Sequence, residues 1–265
     1  MLSLFGWLCT VLMGVSLGVL GAGGSILTIP ILVYLFGINA SLATSYSLII
    51  VAVTALVGTL LHYRAVNLKT SLSLALPAIV SVYVTRRFFV PWIPSVFMIG
   101  PVVVEKDSFI LLVFVSIMLL SAVSMIRPSQ TEPNQPPSIQ HPAIKLGVIL
   151  LESVVIGVIT ALVGAGGGFL IVPALVLINR LDIKVAIASS LFIIVIKSLT
   201  GFIGDIQSGV IINYGLASQL IGLAAAGMVI GVMISQYSDT DRLKHRFGYF
   251  IIGISVLIIM KEFFV

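Results

Sequence analysis

Two short stretches have residue types and spacing suited to holding an anion: GAGGSILTIP at residues 21–30 and GAGGGFLIVP at residues 164–173. Each sets small residues before an apolar run and a proline nine positions after the first glycine. Glycines allow unusual backbone angles and let a ligand approach the N–H groups closely. A half-helix starting after such a break points free N–H donors and a positive dipole end into the gap. The proline either kinks the segment that follows or sits in its first turn, where its missing N–H costs little. The competing reading is that the glycines only let neighbouring helices pack closely. Two copies with one pattern favour a site, formed by Gly21, Ala22, Gly23, Gly24 and Ser25 facing Gly164, Ala165, Gly166, Gly167 and Gly168.

Other residues extend this candidate site. Lys197, in IIVIKSLTG, has apolar residues on both sides. A charge that deep costs at least about 2.5 kcal/mol on insertion scales, so it is expected to face the interior and act on the substrate. The alternative is a lysine that snorkels to the interface. Thr44, Ser45 and Ser47 in ATSYSL, and Ser189 and Ser190 in ASSL, offer hydroxyl donors to oxyanion oxygens, although such hydroxyls also bond their own helix. Glu152 is expected near an interface, and His62, Arg64 and Lys69 form a basic connection.

These residues need a scaffold in lipid. Of 265 residues, 59% are hydrophobic and 9% charged, with mean hydropathy +1.24. A soluble domain carries about a quarter charged residues, so bilayer is the solvent for most of this chain. The fold class expected is an all-α polytopic membrane protein of about eight spans, in two tandem four-span repeats, each with a Gly-broken first helix. Apolar stretches run at about 4–36, 40–61, 70–84, 108–126, 143–179, 184–204, 212–235 and 247–264. The proline-rich polar stretch 127–142 divides a first membrane repeat, 1–126, from a second, 143–265.

An offset of 143 aligns the halves without a gap from Gly21 on Gly164 to Gly58 on Gly201. Leu27, Pro30, Ala43, Ser47, Leu48 and Leu56 also fall on identical residues. Internal repeats with a site at their interface are a usual plan for secondary transporters. The first half carries an extra piece, residues 86–107, expected to lie on the surface or re-enter the membrane.

The paired GAGG…P motifs, each followed by an A…SL…G segment, resemble the signatures of the TauE/SafE family over nearly the whole chain. The resemblance implies a transporter of sulfite, sulfonates or related anions. The chain departs from it in the 86–107 insert and in Lys197, where the resemblance leads one to expect a small polar residue such as Asn.

An enzyme working within the bilayer needs a nucleophile with a base, or a metal cluster, inside the spans. The three histidines lie in connections, no H-E-x-x-H occurs, and Cys9 is the single cysteine. No G-K-[ST] follows GAGG, which excludes a nucleotide loop. No catalytic residue, metal or cofactor is expected. Besides the embedded enzyme, an anion channel or a permease acting with a partner stands as the alternative. The expected partners are a small anionic substrate and the lipid bilayer of the cell (inner) membrane, with no nucleic acid, and a homo-oligomer is left open. If both interrupted segments cross fully, the distribution of basic residues places both termini outside the cytoplasm, with the pseudo-twofold axis along the membrane normal.

Overall fold

A computed structural model describes residues 2–21, 23–99, 102–126, 142–177, 181–235 and 240–264. The helices are α1 (Leu2–Leu20), α2 (Ser25–Leu35), α3 (Ala40–Leu61), α4 (Leu68–Trp92) and α5 (Lys106–Ile126), then α6 (Pro142–Val163), α7 (Gly168–Leu177), α8 (Ile183–Gln207), α9 (Tyr214–Ser235) and α10 (Thr240–Phe264). A small antiparallel hairpin, β1 (Val96–Ile99) with β2 (Val102–Glu105), precedes α5. Among the described residues, α3, α4, α5, α8 and α9 are each long and apolar enough to cross a bilayer. The fold is that of an all-α polytopic membrane protein. The stretch 127–141, most of the expected linker, lies outside the described residues.

Neither interrupted segment crosses and continues. Trp7 near the start of α1 stacks edge-on against Phe36 just beyond α2, with ring centroids 5.0 Å apart, and Gly24 abuts Met13 and Leu17. So α2 runs back along α1, and the pair forms a re-entrant hairpin. Pro30 is followed by a π turn over Ile31–Leu35, as expected where a proline removes a donor beyond the first turn. The directions of the other helices follow from their contacts. Gly58 meets Leu191 while Gly201 meets Leu48, so α3 and α8 are antiparallel. Asn67 meets Ser189 and Tyr83 meets Gln207, so α4 and α8 are parallel. Ser81 bonds Val154, while Thr85 and Phe89 share a cavity wall with Val158 and Leu162, so α6 is parallel to α4. With α6 and α8 both running that way, α7 has to return between them.

The repeats are therefore inverted relative to one another, which corrects the expected axis. Each contributes one returning hairpin and three long helices. The last of the second half, α10, runs antiparallel along α5, with Gly248 against Ile126 and Glu262 against Ser108. The number is odd, so the pseudo-twofold lies in the membrane plane. The contacts exchange under the same offset of 143 that aligns the sequences. Gly21 abuts Ile187 as Gly164 abuts Thr44, and Gly14 abuts Ala224 as Gly157 abuts Ser81. The halves interlock: α1 packs on α9, and α6 packs on α4. Small residues make these crossings close. Gly14, Gly18, Gly227 and Gly231 bring the α1 and α9 backbones together, the packing expected where lipid supplies no hydrophobic drive between helices.

The extra piece has two fates. Its first residues continue α4 through a π turn, Thr85–Phe89, which makes α4 longer than the apolar stretch 70–84. The remainder forms the β-hairpin, which Phe97 ties to Phe109 of α5 at 5.5 Å.

Candidate functional site

The two hairpin tips enter from opposite ends of the bundle and meet. A Cβ placed on Gly166 would stand 2.6 Å from Val51, 3.4 Å from Ser25 and 3.5 Å from Ile194. Val51 and Ile194 are repeat counterparts, so Gly166 sits beside the pseudo-axis with Ser25, the first residue of α2, across from it. Every described residue from Gly23 to Leu32 is buried, as are Gly164 to Gly168.

Each tip opens with the same helix cap. The N–H of Gly21 donates to Leu17 at 2.8 Å and that of Gly164 to Thr160 at 2.8 Å, with left-handed φ of 70° and 73°. Beyond this the tips diverge. Gly166 and Gly167 also take left-handed φ, 64° and 66°, whereas Gly24 is right-handed at −62°. Ala22 lies outside the described residues. Gly23 faces the Phe247 ring and Leu20, and Gly24 lies against the α1 backbone, so the first tip is walled by apolar groups.

The second tip is walled by polar ones. Lys197 is 1% exposed, and its Nζ would stand 2.6 Å from a Cβ on Gly167. That ammonium donates to Thr160 Oγ1 at 2.7 Å, and no carboxylate lies in ion-pair range of it among the described residues. Lys197 faces the second break and does not snorkel. On the Gly164 side stands Thr44. Its Oγ1 donates to the Ser41 carbonyl at 2.7 Å and accepts from Arg86 Nη1 at 2.9 Å. Arg86 in turn pairs with Asp205 at 3.1 Å, the two side chains being 1% and 2% exposed.

The remaining hydroxyls separate. Ser190 donates to the Ile187 carbonyl at 2.8 Å and touches the Gly21 carbonyl at 3.4 Å, so it adjoins the first tip. Ser189, on α8, accepts from the Asn67 N–H and so ties α8 to the α3–α4 connection. Ser47 is fully buried with a hydroxyl that finds no partner among the described residues; Ser45 is buried on the same helix. Glu152 is half-buried on α6. No cluster of three metal-ligating side chains occurs among the described residues.

Sequence reasoning passed over Arg86, Asp205 and Thr160. Arg86 and Asp205 counted only as residues at the ends of apolar stretches. The available signal was their opposite sign, each at the end of an apolar run long enough to hold it inside. Thr160 is the repeat counterpart of Leu17, and that change beside a glycine break was also visible.

Comparison with known proteins places the chain among membrane transporters. The family model described as sulfite exporter TauE/SafE matches residues 7–258. A probable membrane transporter protein, YunE, of Bacillus subtilis (strain 168) is 27% identical over 246 residues, covering 84% of this chain and 85% of that protein. A probable membrane transporter protein of Xylella fastidiosa (strain Temecula1) is 27% identical over 256 residues, covering 95% of this chain and 92% of the other. No solved structure matches. With the family model spanning nearly all of a multi-pass, apolar helical chain whose relatives are named as transporters, this protein belongs to the TauE/SafE family of membrane transporters.

Proposed function

We propose that the chain is a secondary transporter of a small oxyanion, sulfite or an organosulfur anion such as a sulfonate, held where the two hairpin tips meet. The observation that carries this reading is Lys197, a buried cation with no carboxylate partner among the described residues, set against the start of α7 at Gly167. A lone charge inside a membrane protein is costly, and an arriving anion relieves that cost. The N-terminal N–H groups of α7 add partial positive charge on the same side, and Thr160 holds the ammonium in place. Ser25 with Gly23 and Gly24 opposite, and Thr44, Ser47 and Ser190 on the flanking helices, are the other groups in reach of the tips in this reading. Ser45 and Ser189 drop to supporting roles. The two repeats, 1–126 and 143–265, would supply one tip each.

Returning hairpins also regroup the basic residues. Among the described residues, Arg64, Lys69, Lys145, Lys184, Arg242, Lys244 and Arg246 belong to helix ends and connections at the end opposite both termini. The positive-inside rule makes that end cytoplasmic, with both termini outside. A reporter active only in the cytoplasm should be silent at either terminus.

The decisive experiment is uptake into proteoliposomes of sulfite, sulfate, thiosulfate, taurine and sulfoacetate, with and without a pH gradient. Saturable movement of at least one anion is expected. Movement of cations or neutral solutes alone would overturn the reading.

A further inference from the structure

The geometry points to a second anion-binding station at Arg86, separate from Lys197 and reached from the end of the bundle that holds the termini. The inference rests on the transport reading above. Arg86 lies in the π turn of α4, and Asp205 two turns beyond Lys197 on α8, about 12 Å along the helix. Thr44 joins them from the first turns of α3 and touches Gly164, so the cluster closes one side of the second hairpin tip.

Arg86 is held by one nitrogen only. Nη1 donates to Thr44 and to both oxygens of Asp205, at 3.4 and 3.1 Å. Nε and Nη2 are buried and find no hydrogen-bond partner among the described residues. These two nitrogens form the side-on edge of the guanidinium, whose parallel N–H bonds match two oxygens of a carboxylate, sulfonate or sulfite. Donors buried without partners are rare and costly, so an edge kept open inside the protein is fitted to an incoming acceptor. Asp205 and Thr44 grip the far side of the guanidinium and fix the direction of that edge. The pair is close to neutral overall, so an anion pauses at Arg86 without being trapped, and the uncompensated Lys197 lies farther in. The other repeat has no such station: Val229 stands at the Arg86 position, His62 at that of Asp205 and Ile187 at that of Thr44.

The test uses the full-length protein in proteoliposomes with sulfite and taurine as probes. Arg86→Lys keeps the charge and the partner but loses the forked edge. It should raise the half-saturating concentration of each anion about tenfold or more while largely keeping the maximal rate, as expected for loss of a charge-assisted bond. The double variant Arg86→Met with Asp205→Leu removes the pair without leaving a lone charge; it should stay monodisperse in detergent and lose uptake. Half-saturation equal to the parent's in either variant would overturn the inference. So would a lower maximal rate of Arg86→Lys with half-saturation unchanged, since that marks a structural pair. If the double variant fails to fold, Arg86→Lys alone decides. Should the parent move neither anion nor any other of the panel, the transport reading itself falls, and this inference with it.

Discussion

The first hairpin tip, around Gly21–Ser25, and the second, around Gly164–Gly168, descend from one pattern but face different surroundings. Where the first has Leu17, Ile187 and Thr54, the second has Thr160, Thr44 and Lys197 at the matching positions. Thr54 spends its hydroxyl on the Ile50 carbonyl of its own helix, while Lys197 reaches across to α6. The backbone differs too, with one left-handed glycine described in the first tip and three in the second. The two tips share one frame, and the polar residues at the matching positions on one side make that tip a charged wall. The other tip is packed against apolar groups, Phe247 and Leu20 at Gly23 and the α1 backbone at Gly24.

The largest effect expected tests the charged wall itself. Arg86→Met alone leaves Asp205 buried without its partner and should destabilise the protein by about 3–5 kcal/mol, as seen when one member of a buried pair is removed. Thermal unfolding in detergent would measure it. Val229→Met at the counterpart position, 39% exposed, should leave the unfolding temperature nearly unchanged. Equal losses at both would erase the distinction.

Substitutions in the tips come next. Gly167→Val meets Thr160 and Lys197 and forces a β-branched residue into a left-handed conformation, adding about 1–2 kcal/mol of strain to an overpacking cost of about 1–3 kcal/mol. Transport should be abolished, and Gly166→Val, against Val51, should do the same. Gly23→Ala meets only the ends of Phe247 and Leu20 and should keep most uptake. Uptake rates per inserted protein separate these outcomes, and parent-like transport in Gly166→Val would mark the breaks as packing devices.

Charge without packing loss is a smaller, sharper change. Lys197→Met keeps length and apolar contacts but should raise the half-saturating anion concentration at least tenfold, or about 1.4 kcal/mol of binding. Lys197→Arg should keep partial activity. Parent-like kinetics in Lys197→Met would shift the site to the helix end and hydroxyls. The smallest effect belongs to Thr54→Val, which removes a hydroxyl bonded within its own helix and should leave half-saturation unchanged. A shift as large as that of Lys197→Met would show that both tips bind.

Much of this architecture was legible in the residues alone. Apolar runs near the bilayer thickness specify helices because unpaired backbone polar groups are not tolerated in lipid. The 143 offset exposed the duplication, and an ionisable residue far inside an apolar run pointed to Lys197. Composition and spacing carry no direction, however. Whether GAGG lets a chain cross or turn back depends on what the second half-helix packs against, and α2 returns because it meets α1, with Phe36 on Trp7. That single reversal inverted the repeats and moved the pseudo-axis into the membrane plane. Arg86 and Asp205 lie 119 residues apart, so only the parallel packing of α4 on α8 could bring them together. Local pattern set which segments are helices, and long-range packing set which way they run and which charges meet.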